Sequence, residues 1–488
     1  MRRLLPALLA LGTAALLAAL WLQVPGVNGP WEWRWDYRPP GLGGAGLAIL
    51  AACAGLAIAA TLRDGGRFAG SRTGLGLLVL LGCGLTLAVV DAQPGGFGRV
   101  IRSLVSRHSF SYVFDAGVAP GTAELLADYP AASERLDLHS QTHPPGPLLL
   151  VRGLDALTRG LPVPEGGLVA AARDAFAREV NRARERRRPA PEVPAGPWAV
   201  VILAFLLPAL SALAAWPLHR LALSWGLSPG AAALAVLLWL LTPARSLFTP
   251  SLDQALPLLL VGAAALASLG DGREPGGGRA RSFGAGLLAA AACFLSYGCL
   301  AILPWLALLT LGAGPDERPG WRARSGGVRA GLLGAGFLVP WIVLALATGY
   351  APWRAFRVAI SAHRTMAVVT RSYSTWVGWN LYDFALLLGP AVALLALAAL
   401  RPGPAARSFR WGLWGFWGLL LLLDLSGSVR GEVGRIWLFF MPLACLFAAA
   451  ALAEREGEDR RPAGVVGGLA LLQAALLLTL AANLVFVS

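Results

Sequence analysis

Five carboxylates and two imidazoles fall within residues 112–143: Asp115, Glu124, Asp128, Glu134, Asp137, His139 and His143, followed by a rigid Pro144-Pro145 step. The chain around them is overwhelmingly apolar, so the polar stretch 112–157 is where chemistry would be housed. A carboxylate within hydrogen-bond reach of an acceptor hydroxyl can take its proton. Asp115 stands alone at the start of the stretch and is the candidate for that role, with a solvated loop carboxylate as the plain alternative. Glu124, Asp128 and Glu134 read as ordinary surface acids. His139 and His143 are spaced i, i+4 and would clasp a metal on a helix. Pro144 directly after His143 disfavours the helical conformation there, and no glutamate completes an HExxH pattern. No metal site is therefore expected; His143 reads as a phosphate or acceptor contact, or as structural.

Other charged residues recur at the ends of apolar runs. Arg245 and Asp253 lie in PARSLFTPSLDQ, His363, Arg364, Arg371 and Tyr373 in the interval 349–378, and Arg430, Glu432 and Arg435 in SGSVRGEVGRIW. Arginine is always charged and grips oxygens in pairs, which suits it to a phosphate on which charge develops. Arg364, Arg371, Arg430 and Arg435 are candidates, with Arg435 favoured because Glu432 can orient it. Asp253 needs a partner or water near a membrane boundary, and a site role and a pairing with Arg245 both remain open.

The elements that must position these residues are apolar helices. Hydrophobic residues make up 56% of the 488-residue chain, in runs of about 20 residues, each enough to cross a hydrocarbon core as a helix. The expected class is an all-α polytopic integral membrane protein; continuous apolar blocks exclude a β-barrel. Spans are expected at 4–24, 42–62, 74–93, 197–218, 229–248, 252–269, 283–297, 299–313, 328–348, 379–400, 411–425, 436–453 and 463–486. The run 283–313 is divided at Ser296-Tyr297-Gly298. Arg2 and Arg3 place the N-terminus in the cytoplasm, and the first run, with no clean cleavage site after it, reads as an uncleaved span. WEWRWDYR, residues 31–38, reads as an aromatic belt at the outer interface.

Three regions follow: 1–93 with three spans, an outer interval 94–196, and 197–488 with ten spans. Within the outer interval, 148–161 is too short and charged to cross, and reads as a helix lying on the membrane; 173–194 reads as a basic helix ended by prolines. Arginine counting alone would put that basic helix inside, but long loops obey the positive-inside rule poorly. With 94–196 outside, the short loops carrying Arg273, Arg279, Arg318, Arg322, Arg401, Arg460 and Arg461 become cytoplasmic and the C-terminus lies outside. The His, Asp and Arg candidates then share the outer face.

The formal net charge of +14 contains no lysine. Schiff-base lysine chemistry and a P-loop are thereby excluded. Nucleic acid is not the expected partner, because topology accounts for the arginines. Cys53, Cys83, Cys293, Cys299 and Cys445 all sit inside apolar runs without a Cys-x-x-Cys, and read as small buried hydrophobes.

The segment from Asp115 to His143-Pro144-Pro145, 28 positions apart, resembles the first outer loop of GT-C glycosyltransferases, above all the protein O-mannosyltransferases and lipid A aminoarabinose transferases. SLFTPSLDQALPLLL, GLLAAAACFLSYGCLAILPWLALL and GEVGRIWLFFMPLA look like later segments of that superfamily. Ala116 and Gly146 depart from it, where Asp-Glu and a leucine after Pro-Pro are usual. The resemblance implies a GT-C-like fold with juxtamembrane helices in the first outer loop and Asp115 as general base. It implies a sugar on a polyprenyl phosphate as donor, transferred with inversion to an extracytoplasmic acceptor. His139, His143, Asp253, His363, Arg364, Arg371, Glu432 and Arg435 would contact substrate. Membrane lipid and the lipid-linked sugar would be its partners, in what reads as a bacterial plasma membrane. The competing expectation is a lipid or solute transporter or flippase. Paired repeats with broken helices and mid-membrane charges would mark that class, and no convincing internal repeat is present.

Overall fold

Small capping residues and prolines decide where the apolar runs become helices. Ser71 accepts from Gly74 N at 3.0 Å to open Arg72–Ala92, and Ser228 caps Pro229–Leu240 in the same way. Prolines in the first helical turn begin Pro197–Leu213, Pro352–His363 and Pro390–Ala398, where a missing N–H costs nothing. The computed structural model describes residues 5–32, 34–39, 41–191, 196–269, 277–312, 319–365, 371–400, 407–456 and 463–485. Among them the strands are Asp36–Tyr37 and Leu484–Val485, two residues each and paired antiparallel; the fold is all-α.

Five helices are long and apolar enough to cross a membrane: Gly44–Gly70, Arg72–Ala92, Pro197–Ser224, Gly326–Thr348 and Gly464–Asn483. Tyr373–Leu388 and Pro390–Ala398, bent by 106° to each other, make a sixth if they are one span. Each of the other expected runs also carries helix, but five of these apolar helices are shorter, from Leu9–Trp21 to Leu438–Ala453. The breaks have local causes. Gly389, at φ +108, leaves the helix between the bent pair, and Gln473 of the C-terminal helix donates Nε2 to Leu388 O at 2.5 Å across the break. The division at Ser296 is found: Gly277–Leu295 ends there and a short 3-10 turn leads into Leu303–Gly312. Arg2, Arg3, Trp33, Arg273, Arg318, Arg401, Arg460, Arg461 and the side chain of Arg322 lie outside the described residues.

Two apolar clusters form. The larger joins the long helices. The smaller belongs to the 94–196 interval, where Val113, Phe114, Leu148 and Phe176 pack with Leu203 of Pro197–Leu213 and with Tyr350. The run read as a helix on the membrane is helix Gly146–Thr158. Its Leu148 and Val151 are buried while Leu157 is 82% exposed. Its two charges fasten it: Arg152 donates to Ala116 O and Ala119 O at 3.0 and 2.7 Å, closing the end of helix Tyr112–Val118, and Asp155 accepts from Gly196 N at 2.5 Å. The basic segment is helix Gly167–Glu185.

The WEWRWDYR segment is more than an interfacial belt. Trp31 is exposed, but Trp35 is buried and donates to Asp383 Oδ1 at 3.1 Å. Glu32 accepts from Ser372 N at 2.9 Å and Trp376 Nε1 at 3.1 Å. The segment straps the start of helix Tyr373–Leu388 in place.

Candidate active site

Asp115 is buried, at 1% exposure, in the middle of helix Tyr112–Val118. Ser140 donates its hydroxyl to Oδ2 at 2.6 Å, and Asp137 N reaches both oxygens at 3.2 and 3.3 Å. Asp137 in turn holds Arg107 by two bonds of 2.6 and 2.7 Å, with the Arg107 guanidinium 4.7 Å above the Phe114 ring. Burial pushes the Asp115 carboxyl up to about 6, against the opposing pull of Ser140. The arrangement ties the turn before Pro144 to the helix behind it.

That tie orients the two imidazoles. His139 donates from Nε2 to His108 O at 2.7 Å, and His143 Nδ1 lies 2.8 Å from His139 O. Tyr129 donates its hydroxyl to His143 O at 2.8 Å. Burial, with His139 beside it, drives His143 down to about 3, so the ring is neutral at ordinary pH. Tyr112 stacks edge-on against His143, ring centres 5.5 Å apart. Gly146 approaches the end of Gly277–Leu295 so closely that a Cβ would stand 1.9 Å from Phe294 O; no leucine fits after this Pro-Pro step.

A chain of four charges acts electrostatically on this corner. Arg371 Nη2 is 3.4 Å from Glu432 Oε1, Glu432 Oε2 is 3.0 Å from Arg435 Nη2, and Arg435 Nε is 3.8 Å from Asp253 Oδ2. All four side chains are 18–31% exposed, open enough to meet a ligand. Asp253 Oδ2 also accepts from Ser251 Oγ at 2.7 Å; Oδ1 takes no hydrogen bond among the described residues. Burial alone would raise the Glu432 carboxyl, but Arg435 and Arg371 hold it below its usual range. Burial works against the Arg435 charge too, and Glu432 and Asp253 outweigh it. His139 and Tyr112 both feel Asp253 and Arg435 electrostatically, so the imidazole corner and the charge chain form one neighbourhood.

The turn that carries these charges is strained. Gly431 takes φ +88 freely, but Glu432 at φ +57 is a non-glycine residue in the left-handed region that its surroundings must hold. Asn380 supplies much of that hold: its Oδ1 accepts from Gly431 N at 2.9 Å and its Nδ2 donates to Asp424 and Val429 O. Asp383 Oδ2 accepts from Gly434 N at 3.2 Å. Arg371 also donates to Arg430 O, and Arg430 returns a bond of 2.6 Å to Arg371 O.

Of the sequence candidates, His139, His143, Asp253, Arg371, Glu432 and Arg435 come together. His363 contributes from the rim, its Nε2 2.7 Å from Ser428 O. Arg364 is exposed beyond the end of helix Pro352–His363 and joins no part of this network. Arg245 does not pair with Asp253; it is fully buried and caps Leu240 O and reaches Gly82 O at 2.9 Å. Sequence reading passed over Asn380 and Asp383, although two polar residues one helical turn apart in an apolar run were a signal. Tyr112 carried none. Among the described residues no three His, Cys, Asp or Glu side chains gather closely enough to hold a metal ion. No family model matches this chain, and no curated protein matches it.

Proposed function

We propose that the protein is an integral membrane glycosyltransferase that moves a sugar from a polyprenyl phosphate to an extracytoplasmic acceptor. The observation that carries this reading is the partly exposed Arg371–Glu432–Arg435–Asp253 chain, whose Arg435 acts electrostatically on Tyr112, His139 and His143. In the reaction the bond from the anomeric carbon to the phosphate oxygen breaks as the acceptor oxygen bonds to that carbon from the opposite face, inverting it. The phosphate leaves with the bonding pair, and Arg435 and Arg371 offset its growing charge in a partly water-excluded corner. The acceptor proton goes to a carboxylate.

Which carboxylate is a matter of reach. A general base must come within about 3 Å of the proton's oxygen. Asp115 is tuned towards neutrality yet enclosed, its oxygens taken by Ser140 and Asp137. Asp253 is 19% exposed and keeps Oδ1 uncommitted. We assign the proton-accepting role to Asp253 and give Asp115 the task of anchoring the His143-Pro144-Pro145 step. The thirteen-span topology, with the N-terminus cytoplasmic and the site outside, belongs to the same proposal.

The test uses full-length protein in nanodiscs with a labelled pool of polyprenyl-phosphate sugars. Asp253→Asn is expected to lower donor turnover by about a hundredfold or more, well beyond what the modest drop in melting temperature from losing its pair with Arg435 explains. Asp115→Asn is expected to lower the melting temperature as well. Full loss in Asp115→Asn at wild-type stability, with Asp253→Asn active, would return the base to Asp115. Donor or solute crossing the bilayer without turnover, and indifferent to Asp253→Asn, would replace the enzyme by a flippase or transporter.

A further inference from the structure

Helices Gly96–Val105 and Gly167–Glu185 pack side by side, and two adjoining cavities of about 210 and 290 Å³ open along their groove. The larger is lined by Arg99, Arg102, Arg178 and Arg182, the smaller by Arg107, Arg182, Arg186 and Arg188. Seven arginines thus face one groove, with Glu179 the single carboxylate in either lining.

A basic helix in solvent is the ordinary explanation of such a run. Two features argue against it. First, the arginines come from separate places: Arg99 and Arg102 from one helix, Arg107 from the turn after it, Arg178 and Arg182 from the other helix, and Arg186 and Arg188 from the segment that follows. Solvated charges spread apart, whereas these converge, and like charges facing each other destabilise the fold unless an anion joins them. Secondly, internal carboxylates neutralise little of the set. Glu179 pairs with Arg182 at 3.2 Å and Asp137 occupies Arg107. Arg102, Arg178, Arg186 and Arg188 have no ion pair among the described residues. Arg99, half-buried and bonded to Gln93 at 2.5 Å, is lowered to about 10 by burial and by Arg38 and Arg102 beside it.

The groove also sits at a particular depth. Gly96–Val105 follows within a few residues of the end of Arg72–Ala92, and Gly167–Glu185 packs on Pro197–Leu213. Both neighbours belong to the long apolar helices, so in a bilayer spanned by them the arginines would stand near the headgroups. Planar guanidinium forks match phosphate oxygens two at a time.

We propose that this groove binds an anionic phosphate group, carried on a lipid headgroup or on a soluble molecule. It lies apart from the Arg371–Asp253 chain and is read by binding rather than by turnover, so its failure would leave the glycosyl-transfer reading untouched.

Two arms separate the sources. Full-length protein in phosphatidylcholine nanodiscs is titrated calorimetrically with inorganic pyrophosphate, and protein from mixed phosphatidylcholine–phosphatidylglycerol membranes is analysed by native mass spectrometry for retained phosphatidylglycerol. The variant combines Arg102→Gln, Arg178→Gln and Arg186→Gln, all at exposed positions; the single Arg178→Gln guards against misfolding of the triple. Pyrophosphate binding that weakens about tenfold or more in the triple variant, and falls with added salt in the wild type, supports a soluble phosphate. Retained phosphatidylglycerol lost only in the variants supports a headgroup. Equal behaviour of wild type and variants in both arms, or no binding by the wild type in either, overturns the proposal.

Discussion

Asp115 and His143 titrate in opposite senses, and each leaves a signature in the stability of the protein. The Asp115 carboxyl is raised from 3.8 to about 6 by burial. The folded chain therefore holds that proton more tightly than the unfolded one, and the associated stability is full below about pH 4 and lost as pH rises to about 6. Roughly two units correspond to about 3 kcal/mol. His143, lowered from 6.5 to about 3, does the reverse: its contribution is full above about pH 6.5 and lost as pH falls towards 3. The two slopes oppose across pH 4–6, so the wild type alone is expected to show little. Melting temperatures of Asp115→Asn and His143→Gln against pH separate them. Relative to wild type, Asp115→Asn gains stability as pH rises from about 4 to about 6, and His143→Gln gains as pH falls from about 6.5. Curves parallel to wild type would mean that neither group is held as described.

At the scale of elements, two glycines mark where backbone approach decides the site. At Gly146 the nearest obstacle to a Cβ is the Phe294 carbonyl, 1.9 Å away. Backbone cannot step aside as a side chain can, so Gly146→Ala should cost about 1–3 kcal/mol or more, read by thermal unfolding. At Gly431 a Cβ would meet Arg371 Nη1 at 2.5 Å and the Trp376 ring at 2.9 Å, on a residue already at φ +88. Gly431→Ala should therefore displace Arg371 and lower turnover by more than its loss of stability explains; wild-type turnover in a folded Gly431→Ala protein would remove Arg371 from the site. The sequence made the helices legible because apolar periodicity and breakers act locally: Ser296 ends one helix and Pro197 starts another, as their chemistry requires. It could not show that Asp253 would answer Arg435 rather than Arg245, or that Asp115 would be closed over by Ser140, since those pairings join residues far apart in the chain. Nor could it show Gly146 as a necessity rather than a departure, because Phe294 is remote in sequence.

The whole molecule has two cores, one joining the long helices and one built by the 94–196 interval against Pro197–Leu213. Sidedness is the property on which the proposed chemistry depends. Arg159 follows helix Gly146–Thr158 and is exposed, while three of the native cysteines are buried and Cys53 and Cys83 are only partly accessible. In spheroplasts, Arg159→Cys should react with a membrane-impermeant maleimide well above the wild-type background. Labelling only after permeabilisation would put the interval inside and remove the extracytoplasmic acceptor.

Helix Pro229–Leu240 has 12 residues, about 18 Å of rise against a hydrocarbon core of about 30 Å. On its own it could not bridge that thickness, yet every side chain from Ala231 to Leu240 is buried in protein, and Arg245 takes the Leu240 carbonyl at its end. Of the residues in the apolar window of Gly326–Thr348, by contrast, only 11% are buried. In a bilayer, Gly326–Thr348 would therefore meet lipid along most of its length, while Pro229–Leu240 is solvated by the protein itself. Hydrophobic mismatch, which sorts membrane proteins among bilayers of different thickness, should then be set by Gly326–Thr348 and be indifferent to the length of the helix at the centre.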